Sequence, residues 1–266
     1  MPRSDWKIVS ETVFNIPNNT DEQEKVGSFF KKLDTTIALH QRKLTLLKQL
    51  KQTSLHLIFP QNEENSPTLR FAGFPDSWSQ RSLGELATFE KGKGYSKKDL
   101  VEDGFRAILY GRLYTRYQTV IETIDTYVES DDGSIRSKAG DVIVPASGES
   151  SEDISRASVV PYSGIILGGD LNIIKVDKNK LDPVFVSLTI SHGTQKKELS
   201  KRAQGKSIVH LHNSDLKKVI LTFPKLEEQK KIGNLVQQLD YIIDLQQQKI
   251  DDMQSLKSSI LNKMFI

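Results

Sequence analysis

The chain contains no cysteine, which excludes a disulfide framework and any thiolate metal site. No apolar run approaches the ~20 residues needed to span a bilayer. The start, Met1-Pro-Arg-Ser-Asp-Trp-Lys7, lacks the apolar core of a secretory signal. A cytoplasmic location is the default that these absences leave. Aromatic residues make up only 8%, and 37 Lys and Arg stand against 34 Asp and Glu. A net charge of +3 does not by itself imply nucleic acid, because an even mix of charges is what a solvated surface looks like. The distribution has to decide. At 266 residues there is room for one or two domains.

Catalytic signatures are missing as well. Gly205-Lys206-Ser207 matches the end of a phosphate-binding loop, but the glycine required five residues earlier is Ser200. Gly92-Lys-Gly94 is no dinucleotide fingerprint, and Ser147-Gly-Glu149 lacks the pattern of a nucleophile elbow. His210-Leu-His212 has neither a cysteine nor an acidic cluster to complete a metal site, so no metal ligand is assigned. The only Pro-Asp pair, Pro75-Asp76, has no Asp/Glu-x-Lys at nuclease spacing after it, and no Asn-Pro-Pro-Tyr of a methyltransferase occurs. A stand-alone enzyme is the weakest reading.

What is present is a long internal repeat. Asp21-Glu-Gln-Glu-Lys-Val-Gly27 and onward to Phe59 matches Glu227-Glu-Gln-Lys-Lys-Ile-Gly233 to Phe265 without a gap, at a constant offset of 206 residues. Gln23/Gln229, Gly27/Gly233, Leu33/Leu239, Ile37/Ile243 and Leu55/Leu261 are among the identical pairs. Both copies follow a proline, Pro17 and Pro224, and Ser4-Asp-Trp-Lys7 echoes Ser214-Asp-Leu-Lys217.

Each copy reads as a helix. Acidic residues after the proline sit where a helix N-terminus favours negative charge. Apolar residues then recur at spacings of four and three: Val26, Phe30, Leu33, Ile37, Leu44 and Leu47 in the first copy. Ile232, Val236, Leu239, Ile243, Ile250, Met253 and Ile260 form the series in the second. This is a coiled-coil seam, on a rod of roughly 55–60 Å at ~1.5 Å per residue. His40/Gln246 and Lys51/Lys257 interrupt it at twin positions. Such residues either fix register inside the seam or snorkel from its edge. A helix this long needs a partner for its stripe. The other copy, returning antiparallel, is the simplest partner; pairing between two chains is the alternative.

Between the helices the periodicity changes. Gln61-Asn-Glu-Glu-Asn-Ser-Pro67 is a polar connector, followed by strand-like runs at 107–110, 141–144, 165–167, 171–174 and 219–221. Residues 181–199 predict a helix or two, opened by Asp182-Pro183. The class is α+β: one mixed domain flanked by two long repeat helices that form an antiparallel coiled coil. Three basic loops stand out: 90–98, with four lysines, two glycines and Tyr95; 110–117, with Arg112 and Arg116 among three tyrosines; and 201–207. Lysines and glycine-loop amides suit phosphates, whereas Arg and Gln can read base edges. Any one loop alone is more often a solvated surface. Together they nominate Lys91, Lys93, Tyr95, Arg112, Tyr114, Arg116, Gln204 and Lys206 as DNA contacts.

The whole set resembles the specificity subunit of type I restriction–modification systems. The repeats are similar to that family's two conserved helical regions, with Ile/Phe-Pro, then Glu-Gln-x-Lys-Ile/Val-Gly and a helix ending near a Phe. The middle resembles one target recognition domain, through Leu69-Arg-Phe-Ala-Gly-Phe74 with Trp78, Ile108-Leu-Tyr-Gly-Arg-Leu-Tyr-Thr-Arg-Tyr117, Gly168-Gly-Asp170 and Gly205-Lys-Ser-Ile-Val-His210. The resemblance implies a non-catalytic reader of double-stranded DNA that bridges methyltransferase subunits and serves a restriction subunit. S-adenosylmethionine, ATP and Mg would belong to those partners. It divides the chain into a remnant of a preceding recognition domain (1–16), a first spacer helix (17–60), one recognition domain (61–223) and a second spacer helix (224–266). The family order is domain, helix, domain, helix; here it is helix, domain, helix. A half-size subunit that dimerises or pairs with another specificity fragment, a spare recombination cassette, and a decoy that occupies methyltransferase subunits without reading DNA all fit that order.

Overall fold

The structure is a computed structural model, and it describes residues 6–11, 17–61, 66–130, 133–151, 154–203, 205 and 208–264. Its helices are α1 (Trp6–Glu11), α2 (Thr20–Ile58), α3 (Leu83–Leu86), α4 (Arg112–Thr115), α5 (Pro183–His192), α6 (Thr194–Arg202), α7 (Asn213–Lys217) and α8 (Leu226–Met264). The strands run β1 (Ser79–Ser82), β2 (Ala87–Lys91), β3 (Leu100–Val101), β4 (Phe105–Ile108), β5 (Tyr127–Val128) and β6 (Asp141–Pro145). They continue as β7 (Ser147–Gly148), β8 (Ser158–Val160), β9 (Ile166–Leu167), β10 (Leu171–Val176), β11 (Val209–His210) and β12 (Ile220–Phe223). By their contacts the residues form two compact units, one of residues 1–50 and 239–266, the other of residues 51–238.

The long helices α2 and α8 carry the two repeats. Asp21 and Glu22 open α2, and Glu227 and Glu228 open α8, each favourable at the positive end of the helix dipole. The repeat glutamines do the same job at both starts: Gln23 Nε2 donates to Pro17 O at 2.7 Å, and Gln229 Nε2 to Pro224 O at 2.9 Å. Hydroxyls of Thr35, Thr36 and Thr45 bond back to carbonyls four residues earlier, which accommodates them within α2.

In the first unit the helices pair antiparallel. Ile37, Leu44, Ile243 and Ile250 are buried together, with Leu33, Leu47 and Met253 packed on them. Gln246 is 7% exposed, and its Nε2 lies 2.7 Å from His40 Nδ1 and 3.0 Å from His40 O. His40 and Gln246 are twins in the repeat, so the two copies meet themselves there and a pseudo-two-fold axis passes between them. This decides for a polar pair inside the seam over an edge residue. The Lys257 ammonium pairs with Asp34 across the helices. Leu239, Val26, Phe30 and Ile260 are half-buried. Two expected seam residues have another destination. Ile232 and Val236, at 1% and 0% exposure, lie in the core of the second unit with Leu55, Ile58 and Phe59.

The second unit is built on short strands. An antiparallel sheet has the order β2-β10-β6-β8, and a second has the order β3-β5-β4-β9, in which β4 and β9 run parallel. Two-stranded ladders β1–β12 and β11–β7 complete the set. The buried centre, β6 and most of β10, is rich in Val, Ile and Leu, as a strand covered on both faces requires, with Asp141 and Asn172 its buried polar members. Asp182 caps α5 by accepting from Phe185 N at 2.9 Å, and Pro183 occupies its first turn. That helix is buried along 185–191 and brings Phe185 against Phe59 and Trp78.

Candidate nucleic-acid interface

The first basic loop is held by glycines. A Cβ on Gly92 would stand 1.9 Å from Gly168 O, and one on Gly169 would stand 2.9 Å from Gly94 O. Only glycine permits that approach. Backbone bonds close the clasp: Gly92 N to Leu171 O at 2.8 Å, Lys93 N to Leu167 O at 3.1 Å and Gly169 N to Gly94 O at 2.5 Å. Tyr95 is a non-glycine residue with φ of 52°, a conformation costing on the order of 1 kcal/mol. Its hydroxyl donates to Ser130 O at 2.6 Å and its ring packs on Ala107, Val128 and Ile166, which hold it there. Lys91 and Lys93 are thereby presented, exposed, on a fixed backbone.

The second loop adjoins the same glycine. Gly168 N donates to Ile108 O at 3.0 Å, and a Cβ on Gly168 would fall 2.4 Å from a Leu109 methyl. Beyond it α4 places Leu113 in the core and leaves Tyr110 and Arg116 exposed. Tyr114 OH donates to Ser147 O at 2.8 Å on β7, and β7 pairs with β11, Ser147 opposite His210. Of the third loop, Gly205 lies against its own downstream chain, where a Cβ would stand 1.8 Å from Ile208 O and 3.1 Å from Val209 Cα. The structure therefore links the first two loops with β7 and β11 in one string of contacts: 92–95, 168–169, 108–114, 147–148, 209–210.

Individual side chains sort themselves differently from the sequence expectation. Arg112 is turned inward, 8% exposed. It donates to Gln118 Oε1 at 3.0 Å, Thr123 O at 2.8 Å and Asp125 Oδ1 at 3.3 Å. Burial holds its pKa below the ordinary arginine value, against the pull of Asp125. It braces the loop and is not available to a base edge. Arg116 is half exposed and shares Asp125, 2.5 Å from Oδ2. Tyr114 is half-buried. Gln204 and Lys206 lie outside the described residues.

The family model described as the type I restriction modification DNA specificity domain matches residues 75–254. The chain belongs to that family. Among its relatives, the type I restriction enzyme MjaVIII specificity subunit of Methanocaldococcus jannaschii is 20% identical over 275 residues, covering 98% of this chain and 63% of the relative. A chain from the same organism described as the MjaX specificity subunit is 25% identical over 219 residues, 76% of this chain and 49% of the relative. The specificity domain thus spans about half to under two thirds of these relatives. The crystal structure of the HsdS subunit from Thermoanaerobacter tengcongensis shares the fold with a TM-score of 0.59 at 18% identity, covering 91% of this chain and 56% of that one.

Sequence reasoning missed several members of this specificity domain's loop surface. Arg156 lies over the Tyr114 ring, 5.7 Å from its centroid. The His210 and His212 rings stack 6.4 Å apart, 8° from parallel, and both residues are exposed. Arg136 covers Phe105 at 5.7 Å and donates to Gly164 O. None lies in a basic run, so local composition carries no sign of them. The alternating His-Leu-His was the one visible hint. Among the described residues no group of three or more His, Asp or Glu could hold a metal ion. No described helix is long and apolar enough to cross a membrane.

Proposed function

We propose that this specificity domain reads one half-site of double-stranded DNA and docks methyltransferase subunits along its helix pair, without performing chemistry itself. The observation that carries the reading is the meeting of the first two basic loops at Gly168, with Lys91 and Lys93 exposed on a clasped backbone. Lysines there suit phosphates, which fix orientation. Arg116, Tyr114 and Arg156 supply a second group of polar and planar side chains for base edges, and Gln204 and Lys206 are assigned to the third loop. Support for docking comes from the helix pair. Leu39 and its twin Leu245 are 62% and 48% exposed, and Leu50 and its twin Leu256 are 52% and 54% exposed. Isolated exposed leucines are ordinary, but the same positions in both copies offer two equivalent apolar sites.

On this reading S-adenosylmethionine, ATP and Mg belong to partner subunits, a restriction subunit joins the methyltransferase, and the assembly works in the cytoplasm. The test is co-expression with methyltransferase and restriction subunits followed by mapping of methylated adenines. Methylation at one defined half-site is expected. A complex that forms but methylates nothing identifies a decoy instead. Unchanged DNA binding after replacing the exposed basic residues of all three loops would sink the assignment of the interface.

A further inference from the structure

We propose that Asp125 is a positioning residue for base reading: it fixes the Arg116 guanidinium in a neutral surface pair suited to the O6 and N7 edge of a guanine. The inference rests on the loop surface being the DNA interface, and it specifies the contact that one part of that surface makes. Two residues of one loop each touch both arginines of the second basic loop. Asp125 accepts from Arg112 Nη1 through Oδ1 at 3.3 Å and from Arg116 Nη1 through Oδ2 at 2.5 Å. Thr123 accepts from Arg112 Nη2 through its carbonyl at 2.8 Å and from Arg116 Nη2 through Oγ1 at 3.2 Å.

The loop that carries these acceptors is itself tied down. Ile121 and Ile124 are buried in the core beneath it. Ala107 N donates to Thr126 O at 2.9 Å, and Thr126 Oγ1 donates back to Ala107 O at 2.6 Å. Tyr162 OH donates to Glu122 O at 2.8 Å. Arg116 is therefore held at two points by an anchored segment, although its side chain and that of Asp125 are both about half exposed. Stability does not account for that hold. Arg112, enclosed, already braces the loop, whereas an ion pair between two half-exposed side chains contributes little.

What the two-point hold supplies is orientation. A guanidinium has five N–H donors; among the described residues Asp125 and Thr123 take two from Arg116, which leaves three. A guanine edge accepts two from a fixed arginine plane. Phosphate is the poorer match. It needs no set plane, and one drawn to Arg116 meets the Asp125 carboxylate beside it, like charge against like. Guanine O6 and N7 carry no formal charge, so the carboxylate orients the arginine without repelling its target. Arg112 holds Asp125 from behind, and Asp125 in turn holds Arg116.

The test selects bound duplexes from a randomised DNA pool with the full chain, its Asp125→Asn variant and its Arg116→Ala variant, and measures the salt dependence of binding to one mixed-sequence duplex. The wild type is expected to select a motif containing guanine. Both variants should lose about tenfold of the preference for guanine at one and the same position. Asp125→Asn frees a cation, so it should also bind the mixed-sequence duplex more tightly, with a salt slope steeper by about 0.9. Arg116→Ala should leave that slope unchanged. It removes an exposed side chain, and so still decides the matter if Asp125→Asn loosens the loop. A motif unchanged in Asp125→Asn, or weaker binding with no change of motif, makes Asp125 a brace and overturns the proposal. So does a slope lowered by about 1 in Arg116→Ala with the motif intact, because Arg116 is then a phosphate contact. A wild type that selects no motif at all overturns the interface beneath the proposal, an outcome distinct from either.

Discussion

Arg112 and Lys91 show how one residue type in one kind of loop divides into support and contact. Arg112 is enclosed by Gln118, Thr123 and Asp125. Arg112→Ala should cost about 2 kcal/mol in denaturant unfolding, because three acceptors lose a charged donor. Lys91→Ala should change stability by under about 0.5 kcal/mol, while weakening binding to all DNA sequences alike and lowering the salt slope by about 1. The reverse pattern would exchange their roles. His192 gives a pH signature of its own. Burial first, then Lys51 and Lys196, lower its pKa to about 4, and its Nε2 is buried without a partner. Its unfolded value near 6.5 is higher, so between these values the unfolded chain binds more protons than the native one. Stability from neutral His192 is therefore complete above pH 6.5 and is lost as pH falls toward 4. From pH 7 to pH 5 the loss should be about 2 kcal/mol at 1.36 kcal/mol per unit. Paired urea titrations of the wild type and His192→Phe at those two pH values measure it, and an equally steep decline in the variant would remove His192 as the cause.

Loops and helices show at the scale of the element why some of this architecture was legible in sequence and some was not. Gly92→Ala should displace the 92–95 loop, since backbone at 1.9 Å cannot yield as a flexible side chain does. Its expected result is faster amide exchange at 93–95 and lost DNA affinity, with the helix pair unaffected. The two helices were readable because a 3.6-residue stripe and a 206-residue repeat are properties of the chain alone. The pair His40/Gln246 could be located but not decided, because spacing gives a residue's place on the stripe and not whether its polar atoms bond inside the seam or snorkel out of it. Ile232 and Val236 continued the stripe in sequence yet belong to the domain core, because periodicity gives the buried face and not what covers it. The loops' composition was visible. Arg112's inward turn was not, because it depends on Asp125, thirteen residues on, and on where that loop folds. The strands were found where apolar residues run together, as at 141–144, and missed where a two-residue ladder such as β7–β11 is set by its neighbours.

For the whole molecule, the self-pairing of His40 and Gln246 has a consequence that neither helix would have alone. Twin residues on α2 and α8 are related by the axis between them, so any partner recognising one helix surface finds the same surface again on the other. Leu39 and Leu245 are such a pair, both exposed and both within the helix-pair unit. If the methyltransferase subunits dock there, Leu39→Glu alone should remove one copy of the partner and leave the other. The double variant with Leu245→Glu should remove both. Sedimentation of the co-expressed complexes would show the two steps in mass, and the isolated chain's affinity for DNA should stay constant because both substitutions lie outside the loop surface. Loss of both copies from the single variant would instead mean that the partners bind as one preformed body. In that case the pseudo-two-fold axis would organise the seam without dividing the docking surface into equal halves.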